Sequence, residues 1–406
     1  MTAYRCRTLV TMAGEPIDHG AFVVDGNRFG AVGPAREVLR THPGTIKDLG
    51  DVIVLPGLIN AHCHLDYTLM RGALLSPGSF PKWVQRINAL KRSLSDQDYL
   101  RATMLGLEEL RRFGVTSVLD IIATPQIFPK LPPPPIRTWF FLELIDIRPH
   151  PWVDEHAFGS WLFFAEKKPA LGGFGLSPHA PYTASPSLYQ TALECSRAFG
   201  MPVTTHVAES REEYQMFAHG RGELFDFLAK IGRRTEDCGK RSPLRHLLED
   251  QLVGNDSILV HLNELDAADL ELLSVPQWRG LSIVHCPKSH RFLHHRRFPL
   301  EALRKLSLNI CLGTDSLASN DSLDLFSEMR AAKRIYPGLH PKTLLEMSTL
   351  NPAKALKQSH CLGKIGSGYL ADAIAIPSDK GAAEAYQVIM ETKDPIQWMM
   401  IDGKVL

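Results

Sequence analysis

The stretch PGLINAHCHL, residues 56–65, separates two kinds of sequence within the chain. Before it, short runs with strand character, such as Ala21–Val24 and Val52–Leu55, are broken by Gly and Asp turns. After it, apolar strands alternate with segments whose apolar residues recur at helical spacing. This change of pattern indicates that an α/β domain begins here, with Ile59–Leu65 as its first strand.

Eight segments in this second part of the chain have the apolar composition of buried strands. They are Ile59–Leu65, Val115–Leu119, Thr138–Leu144, Phe174–Pro178, Val203–Val207, Ile258–Leu262, Leu281–Cys286 and Asn309–Gly313. Helical patterns separate most of them, and two of these, Asp96–Phe113 and Pro186–Phe199, end at a glycine. Repeated strand–helix alternation favours parallel βα units, and eight units predict a closed (β/α)8 barrel of the TIM type. A doubly wound open sheet is the structural alternative.

The C-terminal part of the chain returns to short strands after about Gly366, with candidates at Ala371–Ile376 and Val388–Met390. We therefore expect the two ends of the chain to meet in one small β-sandwich domain. Residues 1–55 would form its N-terminal part and residues 363–406 its C-terminal part. The barrel, residues 56–362, would be inserted between them.

The charge balance of the 406 residues argues against several kinds of partner. Lys and Arg number 45 against 44 Asp and Glu, and a formal net charge of +1 gives no electrostatic reason to expect nucleic acid or an anionic membrane. No apolar run reaches the roughly 18 residues of a membrane span, and no stretch of signal-peptide length begins the sequence. The 7 cysteines, without CxxC spacing, predict reduced thiols in a cytoplasmic protein. We expect a small-molecule substrate.

His62 and His64 lie two positions apart at the end of the first predicted strand. Alternation along a strand places both imidazoles on one face and Cys63 on the other. Their Cα atoms are then roughly 6–7 Å apart, which lets both rings reach one metal ion at about 2.0–2.1 Å. Taken alone, the pair is also compatible with two ordinary polar residues at a strand end.

Further histidines and an aspartate lie at the ends of other predicted strands. His206, His261 and His285 end the fifth, sixth and seventh strands, and Asp315 follows the eighth. Barrel active sites are assembled from the carboxyl ends of different strands. Any one of these residues could be satisfied within the core, but the series as a whole predicts a metal centre at this end of the barrel.

These stretches resemble the amidohydrolase superfamily, and within it the branch of cytosine- and adenosine-type deaminases and chlorohydrolases. The resemblance rests on PGLINAHCHL (56–65), THVAE (205–209), VH (260–261), LSIVHCPKS (281–289) and GTDSLASN (313–320). The tail 363–376 also resembles the return of the family into its small β domain. The motifs span essentially the whole chain, and the resemblance implies a hydrolase that acts at a metal centre.

The resemblance implies one divalent metal ion with four ligands, which are His62, His64, His206 and Asp315. Relatives with two metals usually bridge them with a carboxylated lysine near the fourth strand. Neither Gly172–Ala184 nor Arg137–Arg148 contains a lysine, so we expect a one-metal site. Zinc fits three imidazoles and a carboxylate, although Fe(II) or Mn can use the same ligands.

Three catalytic residues follow from the same resemblance: Glu209, His261 and Asp315. Asp315 would accept a proton from the attacking water, and His261 would contact that water or the developing tetrahedral centre. Glu209 matches the acid/base glutamate of the deaminases, which protonates a ring nitrogen and delivers a proton to departing ammonia. A solvated loop carboxylate is the other interpretation of Glu209.

The candidate substrate-binding residues are Trp83, Arg148, His179, His290 and Asn320. Arg148 could meet a substrate carboxylate through its planar guanidinium, or be an ordinary surface residue. His290 and Asn320 are candidates because they adjoin family motifs. The neighbouring run 294–297, HHRR, is interpreted as a solvated loop, with a metal or phosphate site as the alternative.

His179, within SPHAPYT (177–183), matches a histidine that contacts substrate in relatives acting on S-adenosylhomocysteine, methylthioadenosine or aminodeoxyfutalosine. A purely structural role is its alternative. Trp83 belongs to a stretch whose aromatic pair lines the pocket in relatives. Pro81 and Lys82 occupy the positions just before Trp83 where relatives often carry acidic residues that bind ribose hydroxyls. This difference puts S-adenosylhomocysteine-type ribose binding in doubt.

The implied function is hydrolytic deamination of an amino-substituted heterocycle, foremost an adenosine-type nucleoside. The alternatives are a chlorohydrolase or amide-bond hydrolase of the same branch, and a catalytically inactive scaffold. Relatives of this kind are usually dimers or larger, so the resemblance also implies a homo-oligomer.

Overall fold

The computed structural model describes residues 1–41, 44–76, 78–147, 161, 163 and 171–406. Its strands are Thr2–Leu9 (β1), Ile17–Asp25 (β2), Arg28–Pro34 (β3), Thr45–Asp48 (β4), Val52–Pro56 (β5), Leu58–His64 (β6), Val115–Ile122 (β7), Arg137–Leu144 (β8), Gly172–Pro178 (β9), Thr204–Val207 (β10), Ile258–His261 (β11), Ser282–His285 (β12), Asn309–Leu312 (β13), Asp315–Ser316 (β14), Ala373–Pro377 (β15), Trp398–Ile401 (β16) and Lys404–Val405 (β17). Each of the eight strands predicted for the central part is observed, with small differences at its ends.

The α-helices of the described residues are Ala35–Val38 (α1), Phe80–Lys91 (α2), Asp96–Arg112 (α3), Pro186–Phe199 (α4), Arg211–His219 (α5), Glu223–Lys230 (α6), Pro243–Glu249 (α7), Ala267–Ser274 (α8), Pro287–Phe292 (α9), Leu300–Lys305 (α10), Leu325–Ile335 (α11), Pro341–Glu346 (α12), Leu350–Ala355 (α13) and Ala385–Glu391 (α14). The predicted α/β class is therefore confirmed. Among these helices, none combines the length and the hydropathy that crossing a bilayer requires.

The two helices predicted from periodicity have clear end signals. At the start of α3, the Ser95 hydroxyl accepts from the Asp98 amide while the Asp98 carboxylate accepts from the Ser95 amide, which is a capping box. Helix α4 ends at Gly200, whose φ of 67° is the left-handed conformation that glycine adopts without strain. Local sequence therefore sets the ends of both helices.

The central strands form two parallel sheets. One has the order β14-β6-β7-β8-β9, and the other has the order β10-β11-β12-β13. The sheets adjoin at both edges: Leu176 of β9 forms a parallel bridge with Val203, and Thr314, just after β13, donates its backbone N–H to the His62 carbonyl at 3.1 Å. The carboxyl ends of all these strands therefore lie on one side of the molecule.

Segments from both ends of the chain share a third, mixed sheet, with the order β17-β16-β15-β5-β1-β2-β3 and with β4 paired to β1. Strand β5 pairs in parallel with β1 and antiparallel with β15, so it joins the two terminal segments immediately before β6. On one face Ile53, Leu55 and Ile374 pack into the main core, whereas Val54 and Ala373 contribute to a separate apolar cluster.

One predicted strand, Val388–Met390, is wrong, because these residues lie in helix α14. Ala385 and Ile389, four positions apart, are both buried there, and Met390 is buried beside them. A short apolar run is compatible with either a strand or one face of a helix, and tertiary packing decides between them.

Candidate metal centre and active site

Three histidines from two strands converge at the carboxyl ends of the parallel sheets. His62 and His64 belong to β6 and His206 to β10, and their side chains are buried. The Nε2 atom of His206 lies 3.2 Å from Nε2 of His62 and 3.3 Å from Nε2 of His64. Two nitrogens that each lie about 2.0–2.1 Å from one metal ion are roughly 3.0–3.4 Å apart, so this spacing suits a shared ion.

The protonation state of these histidines also suits a metal ion. Burial, reinforced by the neighbouring histidines, lowers the pKa of His62 and His64 well below its usual range, so both rings are neutral and keep a lone pair. His206 Nδ1 lies 2.8 Å from the backbone carbonyl of His179, which can only accept, so Nδ1 carries the proton and Nε2 is free to bind. The three rings therefore form a group able to hold a metal ion.

Asp315 brings a carboxylate to the same point. Its Oδ1 atom lies 3.8 Å from His62 Nε2 and 3.9 Å from His64 Nε2. Its other oxygen, Oδ2, accepts hydrogen bonds from the hydroxyls of Ser289 at 2.6 Å and Ser319 at 3.2 Å. These serines fix the carboxylate so that Oδ1 is directed to the histidines.

The backbone at Asp315 is adapted to this position. Asp315 has a φ of 56°, and it follows Gly313, where a Cβ atom would lie 2.9 Å from the carbonyl oxygen of His62. Asn60 links the same two segments, because its Nδ2 donates to the Thr314 hydroxyl at 2.8 Å. A left-handed conformation at a residue other than glycine costs energy and persists where the surroundings enforce it.

Glu209 is buried three residues after His206, and burial raises its pKa to about 8. The turn that carries it is held through its backbone. The Glu213 carboxyl accepts from the backbone N–H groups of Ala208 at 3.1 Å and Glu209 at 2.7 Å, and Asn263 Nδ2 donates to the Glu209 carbonyl at 2.9 Å. Glu209 is therefore a buried proton donor at neutral pH, and the interpretation as a solvated loop carboxylate is wrong.

His261 lies between Glu209 and the three converging histidines. Its ring stacks on His206 with centroids 5.3 Å apart, and its Nε2 lies 3.7 Å from Glu209 Oε1. Its Nδ1 faces His290 Nε2 at 3.0 Å, and its φ is 84°. Burial lowers the pKa of His261 well below its usual range, so the ring is neutral.

A cavity of about 260 Å³ connects these groups, and its wall includes His64, His206, Glu209, His261 and Asp315. Two of the predicted substrate-binding residues, Trp83 and His179, also line it. The rest of the wall is largely apolar, with Phe80, Ile87 and Leu228 among the contributors. The cavity can therefore take a flat apolar ring system beside the polar cluster.

The other predicted substrate contacts have different surroundings. His290 is buried against His261, outside the cavity wall. Asn320 also lies outside it, and its Nδ2 donates to the Thr314 carbonyl and to Glu328 Oε1, each at 2.7 Å. The structure therefore does not support direct substrate contact for these two residues. Arg148 lies outside the described residues.

The interpretation of residues 294–297 as a solvated loop is wrong for His295. His294 is exposed, but the His295 side chain is only 4% exposed and its Nε2 lies 3.3 Å from Glu209 Oε1. His285, which ends its strand as predicted, stacks on Phe298 at 4.3 Å and takes no part in the converging group.

Sequence reasoning also missed Glu213, Ser289 and Ser319, the residues that hold Glu209 and Asp315 in place. Ser289 and Ser319 lie inside the quoted motifs, so their position in the sequence was an available signal. Glu213 lies outside the quoted motifs, and its role depends on two backbone contacts that become visible only in the folded turn.

Residues 53–134 and 160–406 match the model of the amidohydrolase family. The chain belongs to that family. A 5-methylthioadenosine/S-adenosylhomocysteine deaminase of Syntrophobacter fumaroxidans is 32% identical over 376 residues, which is 89% of this chain and 81% of the relative. An aminodeoxyfutalosine deaminase of Deinococcus radiodurans is 28% identical over 355 residues, which is 84% of this chain and 82% of the relative.

Solved structures agree with this family. An adenosine deaminase of Xanthomonas campestris with bound zinc superposes with a TM-score of 0.83 at 25% identity, over 100% of this chain and 92% of that one. An aminofutalosine deaminase of Helicobacter pylori in complex with methylthio-coformycin superposes with a TM-score of 0.87 at 19% identity, over 100% of both chains. The predicted family and enzyme class, a hydrolytic deaminase acting on C–N bonds, are confirmed.

Proposed function

We propose that this chain is a metal-dependent deaminase that releases ammonia from an adenosine-type nucleoside. The observation that carries the proposal is the position of Glu209, a buried carboxyl in the same cavity as His64, His206 and Asp315. The named relatives that deaminate methylthioadenosine, S-adenosylhomocysteine and aminodeoxyfutalosine support this substrate class.

His62, His64, His206 and Asp315 would hold one divalent ion, and the zinc bound to the Xanthomonas deaminase makes zinc the first choice. When bound, such an ion lowers the pKa of water and so supplies a nucleophile at neutral pH. The serine hydroxyls that hold Asp315 Oδ2 leave Oδ1 to face the ion.

The protein's own residues would then move the protons. Asp315 takes a proton from the attacking water, whose oxygen adds to the amino-bearing ring carbon. Glu209, protonated at neutral pH because burial raises its pKa, donates to the adjacent ring nitrogen. His261 contacts the tetrahedral carbon centre, the C–N bond breaks, and ammonia leaves with the proton that Asp315 had taken. The Glu209 carboxylate recovers a proton from the new hydroxyl group as the ring carbonyl forms.

The cavity wall supports a nucleoside as substrate. Trp83 and His179 line it, and its apolar wall suits the faces of a purine. Pro81 and Lys82 stand where related enzymes often carry acidic residues for ribose hydroxyls. Because methylthioadenosine, S-adenosylhomocysteine and aminodeoxyfutalosine all carry ribose hydroxyls, this departure does not rank them, and all three are assayed.

An ammonia-release assay with the zinc-loaded enzyme tests the function. The panel is adenosine, 5′-methylthioadenosine, S-adenosylhomocysteine, aminodeoxyfutalosine, pterins and cytosine, with a chlorotriazine assayed in parallel for chloride release. We expect ammonia from at least one aminopurine nucleoside and none after chelation, with recovery on zinc addition. Chloride release without ammonia release, or no turnover of the panel by metal-loaded enzyme, would overturn the proposal.

We also propose that the two parallel sheets form one closed (β/α)8 barrel spanning residues 56–362. At one seam, the Leu176–Val203 bridge is accompanied by a hydrogen bond from the Leu176 amide to the Pro202 carbonyl at 3.0 Å. At the other seam, β14 pairs with β6, and glycine at 313 lets the backbone approach His62 closely. The fold neighbours named above support the same architecture.

A small β-sandwich built from residues 1–55 and 363–406 completes the proposed domain division. The edge strand β3 is not open: the Phe29 amide donates to the Tyr369 carbonyl and the Ala371 amide to the Asn27 carbonyl, each at 2.8 Å. Strand β15, which follows Ala371, lies far along the same sheet, so the sheet must curl for these bonds to form.

The cytoplasmic location and the homo-oligomer both remain predictions. All seven cysteines are free thiols, which is compatible with a cytoplasmic location.

A further inference from the structure

His295 follows helix α9 and places its imidazole beside the carboxyl of Glu209. Its side chain is 4% exposed, and Nε2 lies 3.3 Å from Glu209 Oε1. The ring packs against Phe80, with centroids 5.6 Å apart, and the His295 amide donates to the His290 carbonyl at 3.0 Å. Both the backbone and the ring of His295 are therefore held in one position.

The carboxyl of Glu209 has little other support. Glu213 and Asn263 hold the backbone of Glu209, and neither contacts its side chain. The Nε2 atom of His261 lies 3.7 Å from Glu209 Oε1, beyond hydrogen-bond distance. Across the residues that the structure describes, His295 provides the one hydrogen bond to this carboxyl.

A carboxyl that transfers a proton has two oxygens, and the one that carries the proton must face the substrate. A neutral imidazole with its proton on Nε2 can only donate to Oε1, and Oε1 can accept whether Glu209 is protonated or ionised. A donor at Oε1 therefore disfavours a proton on that oxygen and leaves it on Oε2. The contact also fixes the rotation of the carboxyl group about its terminal bond.

We propose that the His295 ring carries its proton on Nε2 and donates a hydrogen bond to Glu209 Oε1. His295 is then a positioning residue that directs Oε2 of Glu209, the oxygen that carries the transferable proton, into the substrate cavity. This inference rests on the proposed deamination. His295 is neither one of the converging histidines nor itself part of the cavity wall, so it acts through Glu209. Replacing His295 is therefore expected to leave the amount of bound metal unchanged.

Two substitutions at this position separate the hydrogen bond from the volume of the ring. His295→Leu introduces an apolar side chain of similar size and removes the Nε2–H donor. His295→Gln instead offers an amide N–H near the position of Nε2–H. We expect the Leu variant to lose about 10- to 100-fold in kcat, the effect of one hydrogen bond to a reacting carboxyl. The KM is expected to stay within about threefold, and the Gln variant to recover most of the kcat.

His294→Asn is the matched control in the same loop. His294 is exposed, its Nε2 lies 2.8 Å from the Ser76 hydroxyl, and its φ of 58° is a conformation that asparagine tolerates. We expect this variant to keep wild-type kcat and KM. Bound metal per chain and thermal midpoint are measured for all three variants, and we expect the wild-type metal content in each.

A wild-type kcat in His295→Leu would overturn the inference, as would equal losses in the Leu and Gln variants. Crystal structures of the Leu and Gln variants give a readout that does not depend on turnover. We expect the Glu209 carboxyl to be rotated or in several orientations in the Leu variant, and in its original orientation in the Gln variant. An unchanged carboxyl in the Leu variant would reject the positioning role. A wild-type enzyme without deaminase activity would instead reject the proposed function, whatever the crystal structures show.

Discussion

Two groups of buried histidines lie side by side in this protein, and they differ in what their ring nitrogens face. The inner histidines are His62, His64 and His206, and the outer histidines are His261, His285, His290 and His295. Within the inner group, the Nε2 atom of His206 lies 3.2 Å from that of His62 and 3.3 Å from that of His64. The outer rings do not converge on one point. His261 and His290 face each other, His295 faces Glu209, and His285 stacks on Phe298.

Burial does not distinguish the two groups. It lowers the pKa of His62 and His64 in one group and of His261 and His290 in the other. Position in the fold does not distinguish them either, because His206, His261 and His285 all end parallel strands. Convergence of lone pairs on one point, together with a carboxylate oxygen, is what marks the inner group as a metal centre.

The largest expected effect comes from the inner group. Replacing His206 by Ala removes one of three converging nitrogens, and we expect loss of the bound ion and a fall of roughly three orders of magnitude or more in ammonia release. Metal content per chain by mass spectrometry and a continuous ammonia assay measure both quantities. A variant that kept a full complement of metal and wild-type turnover would show that the inner histidines are not ligands.

Glu209→Gln separates proton transfer from metal binding. The substitution keeps the size of the side chain but removes its acid, so turnover is expected to fall by about 10²- to 10⁴-fold. Because Glu209 is not among the converging groups, the metal content is expected to equal that of the wild type. Ammonia release at the wild-type rate would remove Glu209 from the proposed role.

Ser289→Ala tests the support of the inner group, with a smaller effect. The variant removes the 2.6 Å hydrogen bond to Asp315 Oδ2 and leaves the one from Ser319. Loss of a group that orients a metal ligand costs about 10- to 100-fold in metal affinity. Competition with a chelator measures that affinity, and an unchanged value would mean that Ser319 alone holds the carboxylate.

The smallest effect is expected in the outer group, at His285. Both its ring nitrogens are buried and have no hydrogen-bond partner among the described residues, and its ring lies parallel to Phe298. His285→Phe replaces it with an apolar ring, so we expect unchanged metal content, turnover within about threefold, and a free energy of unfolding that changes by no more than about 1 kcal/mol. Loss of metal in this variant would show that His285 contributes to metal binding, and the two groups would then not differ as described.

Much of this arrangement could be predicted from the sequence. The apolar strand segments and the helix end signals are local, so the eight central strands and helices such as α3 were predicted correctly. The convergence of His62, His64 and His206 follows from the strand positions, because carboxyl ends of parallel strands meet on one side. The quoted motifs were enough to predict the family.

What could not be predicted depends on contacts between distant segments. The exposed His294 and the buried His295 are adjacent in the chain, and only the packing of their loop against Phe80 and Glu209 separates them. The position of Asn320 in a family motif suggested a substrate contact. In the structure, the Asn320 side-chain amide instead donates to the Thr314 carbonyl and to the Glu328 carboxyl. Single-residue positions in loops carry no periodicity from which burial could be predicted.

Strand β5, Val52–Pro56, pairs on one side with β1 and on the other with β15 near the C-terminus. During synthesis, one edge of this strand stays unpaired until β15, Ala373–Pro377, has left the ribosome. Its unpaired N–H and C=O groups are a template for pairing with another chain during that interval. The closing of this edge is therefore expected late in folding, and a truncated product that lacks β15 is expected to aggregate through β5 while the strands that carry His62, His64 and His206 remain complete.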